Sequence, residues 1–226
     1  MSVPLRARLF AAGFVALWIQ AASVQAMEPY PNVYRVWLEA GGLFPQSTEL
    51  HLSPGSGGSS KLTLDPGVRI GIGTDYSFTR YLSVGWEVAV LGSSVDKAAA
   101  FEEMDALITQ VPFLINVAVR YENETGFTPF IGVGAGAAST AINVDEARTG
   151  TSTLEGSDYD FGFAWQLVGG LKYEFKRGLA LGVLYKYLWT SDAEWEIEDQ
   201  FIGGDRQLEL DGIRSHAILA FVSYRF

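Results

Sequence analysis

Ser215-His-Ala-Ile-Leu-Ala-Phe-Val-Ser-Tyr-Arg-Phe226 alternates along its whole length. Ile218, Ala220, Val222, Tyr224 and Phe226 fall on one side, and Ser215, Ala217, Leu219, Phe221, Ser223 and Arg225 on the other. Successive side chains of a strand point to opposite faces, so a period of two marks a strand between two different environments. The first side is wholly apolar and ends in two aromatics; the second mixes small, apolar and charged groups. What the two environments are has to be read from the strands that come before.

Seven earlier segments share the pattern, approximately 33–44, 67–78, 80–92, 109–122, 127–141, 159–175 and 179–191, and the closing one runs over 212–226. Each is at least as long as the roughly 9–11 residues that a tilted strand needs to cross a bilayer. The connections alternate in length. Thr79, Asn123–Gly126 and Lys176–Gly178 are tight turns, whereas 45–66, 93–108, 142–158 and 192–211 read as long loops. An even number of strands with short turns at one end and long loops at the other predicts an all-β fold: an eight-stranded antiparallel up-and-down transmembrane β-barrel.

The apolar parity is sharpest in the middle. Leu82, Val84, Trp86, Val88 and Val90 share a face, as do Val111, Phe113, Ile115, Val117, Val119 and Tyr121. Aromatics gather towards the ends of these faces. Tyr76, Phe78, Tyr121, Tyr173, Phe175, Tyr224 and Phe226 lie near the short turns, with Tyr187 and Trp189 near the long loops. With Trp86, Phe113 and Trp165 they are expected to form a lipid-facing belt with two interfacial girdles. A soluble barrel would carry the reverse pattern, apolar inside and densely charged outside.

The opposite parity is small or polar. It places Arg35, Glu39, Arg69, Asp75, Glu87, Asn116, Arg120, Gln166, Lys172, Glu174, Lys186 and Arg225 in the lumen. Charges in so narrow a space must pair and hydrogen-bond. They form either a plug or the lining of a selective pore. Eight strands leave an interior about as wide as the side chains that fill it, which favours the plug. In Phe130-Ile-Gly-Val-Gly-Ala-Gly136 the inward positions are glycines, as a crowded lumen requires, and no helix follows to make a phosphate loop. Trp37 falls on the polar side of the first strand, which suggests a slip of register there.

The chain has 226 residues, a formal net charge of −10, two histidines and no cysteine. Acidity argues against a nucleic-acid partner, which needs a basic patch. The acidic loop residues Asp192, Glu194, Glu196, Glu198, Asp199, Asp205 and Glu209 read as a solvated outer surface, and Pro54–Ser60 as a flexible loop tip. Ser215 and His216 are neighbours on a strand, so they point to opposite faces and cannot form a catalytic dyad. No pattern calls for a catalytic site, a metal or a cofactor. Arg6 and Arg8 precede the apolar run Leu9–Ile19, and Val24-Gln25-Ala26 offers small side chains for cleavage. Residues 1–26 are thus expected to be a cleaved signal peptide, and 27–226 the barrel domain.

Val111-Pro-Phe-Leu-Ile-Asn116 and Thr128-Pro-Phe-Ile-Gly-Val-Gly-Ala-Gly136 resemble the central hairpin of the OmpA-like, opacity-type outer-membrane β-barrel family. Phe163-Ala-Trp-Gln-Leu-Val-Gly-Gly-Leu-Lys-Tyr173, Leu184-Tyr-Lys-Tyr187 and the stretch from His216 to Phe226 are similar to its last three strands. The resemblance implies a monomer in the outer membrane of a Gram-negative-type bacterium, with membrane lipid and lipopolysaccharide as partners. It implies that the assembly machinery reads the closing strand and its terminal Phe226. The role it implies is non-enzymatic, structural or surface-interacting. The peptidoglycan-binding domain of OmpA itself is not carried over. A small transport channel, porin-like or OmpW-like, and a lipid A modifying enzyme are the alternatives.

Overall fold

The alternating segments pair edge to edge until the sheet meets itself. The computed structural model describes residues 33–53, 59–98, 103–149, 152–175, 178–199 and 204–226; the expected signal peptide and positions 54–58 of the loop tip lie outside them. Among the described residues twelve strands follow in order: β1 (Val33–Pro45), β2 (Thr48–Ser53), β3 (Ser59–Leu64), β4 (Gly67–Ser77), β5 (Leu82–Ala98), β6 (Glu103–Arg120), β7 (Phe127–Thr149), β8 (Ser152–Glu174), β9 (Leu179–Thr190), β10 (Ala193–Asp199), β11 (Gly204–Leu210) and β12 (Arg214–Arg225). All pairings are antiparallel. The ring β1–β4–β5–β6–β7–β8–β9–β12 closes where β12 pairs with β1, from Arg35 opposite Arg225 to Pro45 opposite Ser215. Closure removes the open edges that a sheet would otherwise expose.

The eleven residues of β4, at about 3.3 Å each and tilted about 40°, climb about 28 Å, which matches the apolar band of such barrels. Outward positions across this height are apolar and exposed, among them Ile70, Ile115, Ile131, Val133, Val183 and Ile218. Tight turns close the lower end; in one, Asn123 Oδ1 accepts from the Thr125 amide at 2.9 Å.

The upper end departs from the expectation of long loops. β5 to β8 run on unbroken, reaching 23 residues in both β7 and β8. The other four strands are continued, after short links, by β2, β3, β10 and β11. A second ring, β3–β5–β6–β7–β8–β10–β11–β2, therefore stands on the first as a collar. The links are Gln46-Ser47, Asp65-Pro66, Ser191-Asp192 and Asp211–Ile213. Their backbone groups find partners: Gln46 N donates to Arg214 O at 2.7 Å, Gly212 N to Asp192 Oδ1 at 2.8 Å, and Thr48 Oγ1 to Asp211 O at 2.9 Å. Every link also shifts the phase of alternation by one residue. Inward positions are odd in β1, β4 and β12 but even in β2, β3 and β11; in β9 they are even and in β10 odd.

Inside the collar lies an apolar core of Leu62, Leu64, Val95, Ala106, Ile108, Ile142, Ala193, Trp195, Leu210 and Ile213. Outside it Glu49, Lys61, Ser94, Asn143, Glu194 and Glu209 are exposed. This is the polarity of a soluble barrel.

Candidate functional site in the barrel lumen

The lumen is filled in layers. At the short-turn mouth, Arg35 pairs with Asp75 at 3.4 Å, and Arg120 lies 3.9 Å from Asp75 and 3.7 Å from Glu122 while also bonding Ser77. Across the mouth, Glu174 takes Lys172 at 3.3 Å and Arg225 at 2.9 Å.

One level up is a cluster of four buried charges. Arg69 Nε donates to Glu39 at 3.0 Å and Nη2 bonds Glu87. Lys186 Nζ donates to the same two carboxylates, at 2.8 Å and 2.6 Å. Asn116 and Gln166 complete it, donating to Glu87 Oε2 at 3.0 Å and 2.9 Å and bonding each other at 2.8 Å. The cluster joins β1, β4, β5, β6, β8 and β9 across the barrel. Two cations meet two carboxylates, so the charge is balanced and the lone pairs are mostly occupied; an unpaired charge here would be very costly.

The crowding explains two glycines. A Cβ on Gly134 would stand 2.1 Å from Asn116 Oδ1, and one on Gly73 would stand 2.4 Å from the Trp37 ring. Trp37 itself corrects an expectation. The pairing of β1 with β4 runs without a slip from Val33 opposite Ser77 to Leu43 opposite Gly67. Trp37 is an inward residue, and the Lys186 ammonium stands over its ring, 4.8 Å from the centroid.

Above the cluster the lumen turns apolar, which the expectation of a purely polar interior missed. Leu91, Leu114, Leu188 and Leu219 are each at most 1% exposed. Gln110 then bridges Thr140 and Thr190 at 3.3 Å and 3.1 Å, and the collar core follows. There Trp195 Nε1 donates to Thr140 O at 3.2 Å. The sequence signal for the collar was Ala193-Glu-Trp-Glu-Ile-Glu-Asp199, whose strict alternation marks a strand even though its acidity suggests a loop.

The aromatic positions lie on the outer face in pairs. Near the short turns Tyr76 packs on Tyr34 and Phe78 (4.8 and 4.7 Å), Tyr173 on Phe127 and Phe175 (4.8 and 5.0 Å), and Tyr224 on Phe226 (4.9 Å), with Tyr121 exposed beside them. Nearer the collar are Trp165 with Tyr187 (5.6 Å) and Trp189 with Phe163 (6.5 Å); Trp86 stacks on Phe113 at 6.2 Å. Ser215 is buried in the lumen, while His216 faces outward between Gln46 (2.7 Å) and the Tyr185 hydroxyl (2.6 Å). On the collar's outside the ligand atoms of Glu49, His51 and Asp211 lie within 4.8 Å of one another, and His51 Nε2 is 3.4 Å from Asp211.

A family model described as outer membrane protein β-barrel domain matches residues 13–226. Among solved structures, OprG from Pseudomonas aeruginosa is 18% identical with a TM-score of 0.59, over 85% of this chain and 95% of that one. Neisserial surface protein A is 14% identical with a TM-score of 0.51, over 85% and 97%. At such identities the likeness is one of fold. A comparison with curated protein sequences found no match.

Proposed function

The chain belongs to the outer membrane protein β-barrel family, and from that premise we propose that it is a non-enzymatic structural or surface-interaction protein whose lumen is closed by its own side chains. Its place is the outer membrane of a Gram-negative-type bacterium. The observation that carries the reading is the succession of two filled levels: the Glu39–Arg69–Glu87–Lys186 cluster, then Leu91, Leu114, Leu188 and Leu219. Water and ions would have to separate an ion-paired layer and then cross a dry one. The separation of Ser215 from His216 across the wall supports the non-enzymatic part.

On this reading, lipid and lipopolysaccharide surround the belt, and the assembly machinery engages the β12 strand with Phe226. The barrel acts as a monomer, exported by a signal peptide cleaved before Met27. Purified protein in a planar bilayer is expected to give no stable conductance steps. Reproducible single-channel openings would replace the plug by a transport channel. Incubation with lipid A is expected to leave its mass unchanged, and the mature chain should begin at Met27 by N-terminal mass analysis.

A further inference from the structure

Between the mouth and the four-charge cluster the lumen holds a cavity of about 110 Å³. The carboxylates of Glu39, Asp75 and Glu87 also line it, each already paired with a cation, and the rest of the wall is of two kinds. Trp37, Phe130, Val168 and Phe221 make an apolar side, with the Phe130 and Phe221 rings edge to face at 5.9 Å. Arg35 and Lys172 stand on the mouth side, both nine-tenths buried or more. We propose that this cavity is a binding site for a small organic anion, a carboxylate carried on an aromatic or short aliphatic body, reached from the short-turn mouth.

An unmet donor on the mouth side is the first support. The cluster above is neutral and keeps Glu39 and Glu87 to itself, while on the mouth side Arg35 pairs with Asp75 at 3.4 Å and Lys172 with Glu174 at 3.3 Å. Arg35 and Arg120 lean on one carboxylate, and Lys172 and Arg225 on another. Arg35 Nη2 is buried with no hydrogen-bond partner. A buried cationic donor left without a partner inside a low-dielectric wall is stabilised by any anion that can reach it. Size is the second. The volume is several times what one water needs, enough for a single ring and too small for a lipid or a polymer. The aromatic and aliphatic side selects an apolar body, because such a surface gains when water is displaced from it. The site lies below the cluster, and its walls do not depend on whether the cluster blocks the lumen.

The test is fluorescence quenching of the refolded full-length barrel by 4-bromobenzoate, with 4-bromobenzamide as the neutral twin. Trp37 lines the cavity and serves as reporter. Saturable quenching by the anion, about tenfold tighter than by the amide, and its loss in W37F are expected. R35Q and K172M should each weaken the anion by about tenfold and leave the amide unchanged. Folding of each variant is verified by the gel shift between unboiled and boiled samples, and either one suffices if the other does not fold. Equal quenching by anion and amide, quenching that survives in W37F, or unchanged affinity in a folded R35Q or K172M would overturn the assignment. Bilayer conductance, measured separately, reports on the plug alone.

Discussion

The belt and the collar are built on the same eight staves with opposite polarity. Along β5, Glu87 points in and Trp86 out at belt height; a few residues on, Val95 points in and Ser94 out. The strand is continuous and its inward parity never changes. What changes is the medium outside. Lipid accepts Trp86 and leaves the lumen as the only place for charge; water accepts Ser94 and leaves the lumen as the only place for apolar groups. The two tiers therefore draw stability from different sources. The collar gains from burying side chains such as Trp195 and Ile142. The belt gains from ring closure in a medium that cannot hydrogen-bond, while its lumenal ion pairs mainly avoid a penalty.

The sharpest way to break this contrast is to unbalance the belt's lumen. E87L leaves Arg69 and Lys186 with Glu39 as the one carboxylate of the cluster and should cost about 3–5 kcal/mol in urea unfolding from lipid, with most of it recovered in E87L/K186M. An E87L barrel of native stability would mean that the cluster is hydrated. W195A should cost about 3–4 kcal/mol but within the collar only. Amide exchange in β2, β3, β10 and β11 should accelerate while the heat-dependent gel shift persists; loss of both together would make the tiers one cooperative unit. On the outer face, V133R near the middle of the belt should cost about 2–4 kcal/mol. Its collar counterpart S94R should stay within about 0.5 kcal/mol by the same unfolding assay. Equal effects of the two would abolish the distinction between lipid and water.

Much of the belt can be read from alternation alone, because sidedness is a property of the backbone. Arg69 or Gln166 can be placed inward without knowing what either one touches. Their partners cannot be read this way. Arg69 meets Glu39, Glu87 and Gln166 from three other strands, and those meetings depend on register around the ring. Trp37 shows the same limit: the room for it is made by Gly73 on the next strand, so its own segment reads as a slip. The collar was hidden for another reason. Each of the four links moves the pattern by one residue, so a search for unbroken alternation stops at Pro45, starts again at Gly67, and passes over β2 and β3 as loop.

Those four links have a consequence for how such a barrel can vary. The staves on either side keep step with one another, Arg35 to Arg225 below and Leu50 to Leu210 above, only because neighbouring links slip together. Deleting Ser47 alone would turn Glu49 and His51 towards the collar core while β3 and β11 stayed as they are. A length change tolerated at one link thus depends on changes at the others. The links are coupled by epistasis into a single heritable unit, although they lie far apart along the chain.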